Sequence, residues 1–339
     1  MFWPPVLLSA ATGTMLAAPL VPSLRELYRR RDATPLPTRT DNGRIENFAQ
    51  SLREYLAPLM REGGSSCRLR DGIQGRVLRS CDIPDLSGAP IETPAFAPHS
   101  LVFPLPVCFV RDLYIRGDAQ FANDSLLRAV LVEGDAVLGE RTSIARWIHV
   151  LGNLEAGPQA GLFGRASAIG TITLRHGTVF ERVRAGSICA GTQTKTLRET
   201  SPVGGASSPI DLRVGRVRSH GDFHLRDSDA FQGHIVAMGK VAIADNVLVI
   251  GSVKARSSLE IGSGSHLEGT VVSRGAISIA QRCYIKGPVL SEKEIVIGPG
   301  TQIGTPASPT TVSAPRVRIA PGVVVCGTIW ARESGEVTA

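Results

Sequence analysis

The residues of this chain best suited to chemistry are its seven histidines. An imidazole titrates near neutral pH, so a histidine in a cleft between subunits can act as a general base in acyl transfer. The last four fall in a regular repeat, at positions that alternate with apolar residues, which predicts side chains that point outward. We interpret them as solvated residues and name no catalytic residue. The seven are His99, His149, His176, His220, His224, His234 and His266.

Aspartates offer a second possible reaction centre, because paired carboxylates can cleave a polysaccharide. Asp222, Asp227 and Asp229 are close in sequence, and Asp245 follows Asp227 by 18 residues. That spacing predicts that Asp227 and Asp245 stack on neighbouring coils of a repeat. Aspartates at corners more often form turns than perform catalysis, so we interpret them as corner residues.

The six cysteines are scattered, with no C-x-x-C pair and no histidine at metal-ligand spacing. This pattern is typical of small buried hydrophobic residues in a reducing compartment. We therefore predict no metal site and no cofactor.

A repeat of 18 residues is the element that must position all these groups. Counted from each glycine as position 1, positions 3, 9, 11 and 17 are apolar in every unit, and the spacing of two puts positions 9 and 11 on one face of a strand. Such a unit buries its apolar face only by stacking on its neighbours, which predicts a solenoid. The glycines are Gly215, Gly233, Gly251, Gly269 and Gly287.

Eighteen residues divide into three sides of six, so we predict an all-β fold, a three-sided parallel β-helix of about 10–12 coils. The glycine period extends upstream to Gly117 and fails between residues 188 and 214. We expect a first half at 99–187, an inserted loop at 188–214, a second half at 215–330 and a tail at 331–339. A shift of 22 near the end predicts a four-residue insertion within 305–315.

The N-terminal segment 1–24 carries no charge, which predicts a transmembrane anchor. The positive-inside bias would place the β-helix on the cytoplasmic side of the membrane. A cleaved signal peptide and a peripheral apolar segment are the alternatives. The membrane-orienting residues are Arg25, Arg29, Arg30 and Arg31.

Residues 25–98 read as a basic juxtamembrane linker, since residues 25–80 hold 12 arginines against 7 acidic residues. Apolar residues at helical spacing predict an amphipathic helix at 45–62, with Pro58 bending it or ending it a turn early. Either this helix packs on the first coils or it lies on the inner leaflet. The remaining charge is nearly balanced along the repeat, which argues against nucleic acid as a partner.

The C-terminal coil shows no evident cover in the sequence. A terminal coil presents unpaired N–H and C=O groups, which favour stacking on a second molecule. The residues we expect to make this self-association are Val323, Val325, Ile329 and Trp330.

The repeat G-x-[VI]-x-[AS]-x-x-x-[VILF]-x-[IL], as from Gly251 to Ile261 and from Gly287 to Ile297, resembles that of the bactofilins. The resemblance is best over residues 215–304. It implies a bacterial cytoskeletal protein whose three-sided, right-handed parallel β-helix polymerises end to end without nucleotide. This chain departs from the family in its number of coils, its insertion and its apolar N-terminus.

We therefore expect a scaffold, not an enzyme, anchored in the bacterial inner membrane. Its expected partners are further copies of itself, the inner leaflet and unidentified proteins. The alternatives are a hexapeptide-repeat acyltransferase and a polysaccharide-acting β-helix enzyme. Position 15 is aliphatic only at Val247, and position 5 holds only Ala and Ser, so neither six-residue rhythm of the acyltransferases is complete.

Overall fold

The computed structural model describes residues 3–18, 46–62, 65–86, 88–191 and 212–338. The chain divides into two compact units, Met1–Asn47 and Phe48–Ala339. Arg25, Arg29, Arg30 and Arg31 lie outside the described residues, as does most of the loop expected at 188–214.

Helix α1, Trp3–Ala17, is the element of the first unit. Its 15 residues rise about 22 Å, compared with a hydrocarbon layer of about 30 Å. Within the described part of the chain, no helix is both long and apolar enough to cross a membrane. The transmembrane helix expected at 1–24 is therefore not found.

Helix α2, Glu46–Glu62, confirms the predicted amphipathic helix. It continues through Pro58, so the expected early end at this residue is wrong. Its apolar face is buried in the second unit, and the ring of Phe48 stacks on Trp147 with centroids 6.4 Å apart. Packing on the coils, one of the two expected positions of the helix, is therefore the one observed. The buried residues of this face are Ala49, Leu52, Leu56 and Leu59.

The rest of the second unit is a β-solenoid of about 13 turns, more than the 10–12 expected. A 3-10 helix, Ser80–Leu86, interrupts its first turns. The strands before the undescribed segment are β1 Ser66–Arg68, β2 Gln74–Val77, β3 Ala95–Ala97, β4 Leu101–Phe103, β5 Cys108–Ile115, β6 Ala119–Phe121, β7 Leu126–Val132, β8 Ala136–Leu138, β9 Ser143–Val150, β10 Leu154–Ala156, β11 Gly161–Ala168, β12 Thr171–Leu174 and β13 Val179–Ala190. We call these strands the first half of the solenoid; they include β1–β3, which precede residue 99.

The strands after that segment form the second half. They are β14 Leu212–Val214, β15 Val217–Ser219, β16 Phe223–Leu225, β17 Ala230–Gln232, β18 Ile235–Ala237, β19 Val241–Ile243, β20 Leu248–Ile250, β21 Val253–Ala255, β22 Leu259–Ile261, β23 His266–Leu267, β24 Val271–Ser273, β25 Ile277–Ile279, β26 Tyr284–Ile285, β27 Val289–Ser291, β28 Glu294–Ile297, β29 Gln302–Ile303, β30 Thr310–Ile319 and β31 Val324–Val337. From β14 to β26, each strand pairs in parallel with the strand three places further along the chain, so each turn has three strands.

The inward side chains of each turn come in pairs, one pair on each side of the coil. Positions 5 and 15 point inward together with the large apolar positions, as the buried Ala255 and Ser265 show. In two turns position 15 holds a buried hydroxyl that bonds to backbone groups: Ser265 accepts from the N–H of Val247 and donates to the carbonyl of Ala244, and Thr301 accepts from Cys283 and donates to Ala280. The core therefore has a six-residue rhythm, which the sequence hides because position 5 holds only Ala and Ser and position 15 is aliphatic only at Val247.

Corner residues with left-handed backbone precede position 15 in successive turns. Asn246 has φ 55° and Gly264 has φ 71°. Asparagine and glycine adopt this conformation with least strain, so Gly262-Ser263-Gly264 is the coil corner that its sequence predicts.

A turn at Thr305–Ser308 precedes β30, inside the range predicted for the four-residue insertion. Beyond it Val317 pairs with Ile295 and Val325 pairs with Ile303. Both pairs are 22 residues apart, so the register shift read from the sequence is confirmed.

The two halves of the solenoid meet through their C-terminal turns. Strand β13 pairs with β31 in antiparallel register, so that Val183 faces Ile329 and Ile188 faces Val325. The second half therefore runs in the opposite direction from the first. The coils of the second half do not continue those of the first, because within the described residues β14 pairs with β17 and not with β13.

Candidate functional site

The expected outward position of the histidines holds for His220, His224 and His234, which are exposed. His266 also points outward, but the interpretation of it as a solvated residue is wrong, because it is only 7% exposed. Its side chain points away from the core, but it lies against the ring of Tyr284, with centroids 4.6 Å apart. Alternation along a strand predicts the direction of a side chain and does not predict what covers it.

His266 belongs to a small polar cluster on the outside of the second half. Its Nε2 lies 2.8 Å from Glu268 Oε1, and the Nζ of Lys286 lies 3.0 Å from Glu268 Oε2. The hydrogen bond to Glu268 raises the pKa of Lys286, and burial raises the pKa of Tyr284. The Nδ1 of His266 is buried without a hydrogen-bond partner in the described structure. As placed, this nitrogen is out of reach of a substrate.

The aspartates cap the corners of the coil. Asp227 accepts a hydrogen bond from the backbone N–H of Asp245, and Asp245 accepts one from Ser263. Asp222 accepts likewise from Lys240, and Asp229 from Arg226. The predicted stacking of Asp227 and Asp245 is confirmed. Each carboxylate holds a backbone donor of its own turn or the next, which is a structural task.

Two cysteines lie at the junction between the halves. Cys189 and Cys326 form a buried cluster with Val324, apart from the main core. Burial raises the pKa of Cys326 to about 11, and burial also raises the pKa of Cys283 to about 11. The thiols of Cys326 and Cys283 are therefore protonated at neutral pH, which disfavours nucleophilic chemistry. Among the described residues, no group of three or more His, Cys, Asp and Glu is placed to hold a metal ion.

The residues predicted for self-association lie at the junction with the first half. The carbonyl of Val323 accepts from the N–H of Ala190, and Arg182 lies over the ring of Trp330, with 5.3 Å between its Cζ and the centroid. Val323, Val325 and Ile329 are buried. This coil is therefore covered by the same chain, and the expectation that it is the uncovered end of the rod is wrong.

The open end of the solenoid is instead the first turn of the second half. Within the described residues, β14, β15 and β16 pair with the next turn and with nothing on their other side. We call these three strands the open edge. Val214, next to the undescribed segment, is 74% exposed, and Val217 and Phe223 are only partly buried.

The backbone of the open edge offers hydrogen bonds outward. Val217 donates its N–H to His234 O at 2.9 Å, and Ser219 O accepts from Met238 N at 3.0 Å. Because successive residues of a strand direct their backbone groups to opposite edges, Arg218 directs its N–H and C=O away from the solenoid. Sequence reasoning missed this edge; the failure of the glycine period just before it was the signal that a rod ends there.

No family model, no curated protein and no solved structure matches this chain.

Proposed function

We propose that this protein is a structural scaffold that associates with further copies of itself through the open edge. Two copies would place their β14–β16 strands side by side in antiparallel register, each strand completing the ladder of the other. A surface that pairs with itself in this way gives a two-fold interface. The bactofilin-like function expected from the repeat is part of the same proposal.

The observation that carries the proposal is the pairing of β13 with β31 inside the chain. It shows that the end turns of two β-solenoids can join tip to tip through an antiparallel backbone ladder, here one with two register shifts. Within the described residues, the strands of the open edge likewise lack a partner on one side, and the apolar residues Val217 and Phe223 beside them are only partly buried. Natural β-proteins commonly block such an edge, because an unblocked edge recruits another chain.

We also propose that the N-terminal apolar segment keeps the scaffold at the inner membrane, with the solenoid on the cytoplasmic side and partner proteins recruited there. The support is the uncharged sequence of residues 1–24 and the arginines that follow it. Fractionation of cells that express the full chain tests this location. Recovery in the soluble fraction would contradict it.

Arg218→Pro is the sharpest test of self-association. Proline removes the outward N–H of the edge strand and places its ring where a second strand would pair, while the bonds of β15 to β18 remain. We expect wild-type chains to associate as their concentration rises, and Arg218→Pro to weaken the association roughly tenfold or more, the effect of about one lost hydrogen bond with its steric block. Sedimentation velocity of the full chain measures it.

Arg218→Ala is the matched control, since it removes the same charge and keeps the N–H. It should associate like the wild type, and both variants should melt at nearly the same temperature. A wild-type chain that stays monomeric at high concentration would contradict the proposal. So would equal association of the proline and alanine variants.

A further inference from the structure

One side of the second half carries most of its unbalanced charge. This side is formed by the ladder β15–β18–β21–β24–β27–β30–β31. Three residues of each turn point outward on this side: the residue before the strand, the central residue of the strand and the residue after it. Around β15 these are Arg216, Arg218 and His220. We call this surface the basic face.

The basic face holds six basic residues and one acidic residue, Glu292. Counted in the same way, the side that begins with β16 and β19 holds four basic and four acidic residues. The side that begins with β17 and β20 holds two basic residues and one acidic residue. The excess positive charge is thus +5, 0 and +1, and it is concentrated on one side. The six basic residues are Arg216, Arg218, Lys254, Arg256, Arg274 and Arg332.

The cations of the other two sides have acidic partners more often. Lys240 pairs with Glu260 at 2.7 Å, and Lys286 pairs with Glu268 at 3.0 Å. On the basic face, the ion pair seen within the described residues is the one between Arg274 and Glu292, at 3.9 Å and well exposed. The charge of this face is therefore available to an external anion.

Three of these cations surround a shallow groove of about 240 Å³, with Val236 and Met238 on its wall. Lys254 and Arg256 come from one turn and Arg274 from the next. Like charges on neighbouring strands repel each other, so an anion in this groove would relieve the repulsion. Arg256 has the sulfur of Met238 as its near contact, at 3.7 Å.

Apolar and polar side chains alternate along the centre of the same face, where Lys254 lies between Val236 and Val272. The apolar side chains are partly exposed: Leu290 is 36% and Trp330 is 44% accessible, and Val236 and Val272 are half-buried. In the first half, helix α2 packs over apolar outward residues of the ladder β5–β7–β9–β11–β13, which the pairing of β13 with β31 joins to the basic face; among these residues are Tyr114 and Trp147, which are buried. No described element of the chain takes that place over the second half.

We propose that the basic face binds the surface of an anionic phospholipid bilayer. Cations in a row beside exposed Trp and Leu suit the interface, where indole rings sit at the level of the headgroups and basic residues contact lipid phosphates. The groove of Lys254, Arg256 and Arg274 takes one such phosphate. The solenoid then lies along the membrane, and its open edge stays free. This surface shares strand β15 with the open edge, but the groove of Lys254, Arg256 and Arg274 lies on later turns, so lipid binding there can fail while self-association holds.

The test is binding of the full chain to vesicles of phosphatidylcholine with and without phosphatidylserine. The variant is K254Q/R256Q/R274Q. We expect the wild type to prefer the anionic vesicles, and the variant to bind them about 100-fold more weakly, since each basic residue at an anionic surface contributes about 1 kcal/mol. Binding to phosphatidylcholine alone, where the apolar N-terminus acts, should not change.

The matched control, R226Q/K240Q/R282Q, removes the same charges from the other two sides and should keep the anionic preference. Trp3→Phe leaves Trp147, which is buried, and Trp330, so quenching by brominated phosphatidylserine should report contact of Trp330 with lipid. Equal loss in both triple variants would overturn the proposal. The proposal would also be overturned if K254Q/R256Q/R274Q lost binding to a soluble polyanion but still bound the anionic vesicles like the wild type.

Discussion

Single glycines set how closely the turns of this solenoid stack. A Cβ at Gly251 would overlap the carbonyl oxygen of Gly233 on the preceding turn, and Gly251 itself has φ +150°. A side chain is therefore excluded by the neighbouring turn and by the backbone conformation together. The 18-residue glycine period marks one corner at which consecutive backbones touch.

We expect Gly251→Ala to lower the free energy of unfolding by at least about 2 kcal/mol, because the methyl group must separate two turns or distort the corner. Urea unfolding of the full chain measures this change. Gly221→Ala is the control: a Cβ at Gly221 meets nothing within 4 Å. Similar losses from both substitutions would contradict the stacking explanation.

Helix α2 packs on the first half of the solenoid because both contacting surfaces are apolar. The helix carries its own apolar stripe, and the first half of the solenoid presents apolar side chains on its outer face at Tyr114 and Leu131. Arg53 adds an ion pair to Glu133 at 3.2 Å, and the hydroxyl of Tyr114 donates to the same carboxylate at 2.7 Å. Burial first, and then this hydrogen bond, raises the pKa of Tyr114.

Leu56→Ala is expected to destabilise the protein by about 2–5 kcal/mol, since Leu56 is fully buried between helix and sheet. Glu54→Ala, on the exposed side of the same helix, should change stability by less than about 0.5 kcal/mol. Thermal unfolding followed by circular dichroism compares the two. A small effect of Leu56→Ala would show that the helix does not pack on the solenoid in solution.

The reversal of direction between the halves is a property of the whole molecule. It joins the last turn of each half, and it places Gly191 and Leu212, the residues on either side of the undescribed segment, at opposite ends of the second half. Because of this reversal, the open edge lies at the turn of residues 212–230 and not at the C-terminal turn, where it was expected. Every proposal about assembly depends on this arrangement.

An engineered disulfide tests directly whether β13 pairs with β31 and the two halves run in opposite directions. Arg184 and Thr328 are opposite each other across the junction, at a spacing of about 4.5–5.5 Å between Cα atoms, within reach of a disulfide. We expect the double variant R184C/T328C to cross-link under mild oxidation within one chain, as seen by mass spectrometry of its peptides. The control R184C/R218C would cross-link only if the second half continued directly from the first.

The repeating unit can be recognised from the amino-acid sequence alone. Its period, its inward apolar positions, its corner glycines and its late insertion are local, because each turn touches mainly the turns before and after it. The amphipathic helix is also predictable from the sequence, because its apolar residues recur at helical spacing. Position 15 breaks the aliphatic rhythm in the sequence, yet Ser265 points inward there because backbone groups of the neighbouring turns satisfy its hydroxyl.

The turns that meet at the ends of each half can be identified only from the folded chain. The pairing of β13 with β31 joins residues more than a hundred positions apart, and an 18-residue pattern carries no information about direction across such a gap. The covering of His266 and the choice of the face for α2 have the same cause. They depend on side chains brought together by stacking, and those contacts are not periodic in the sequence.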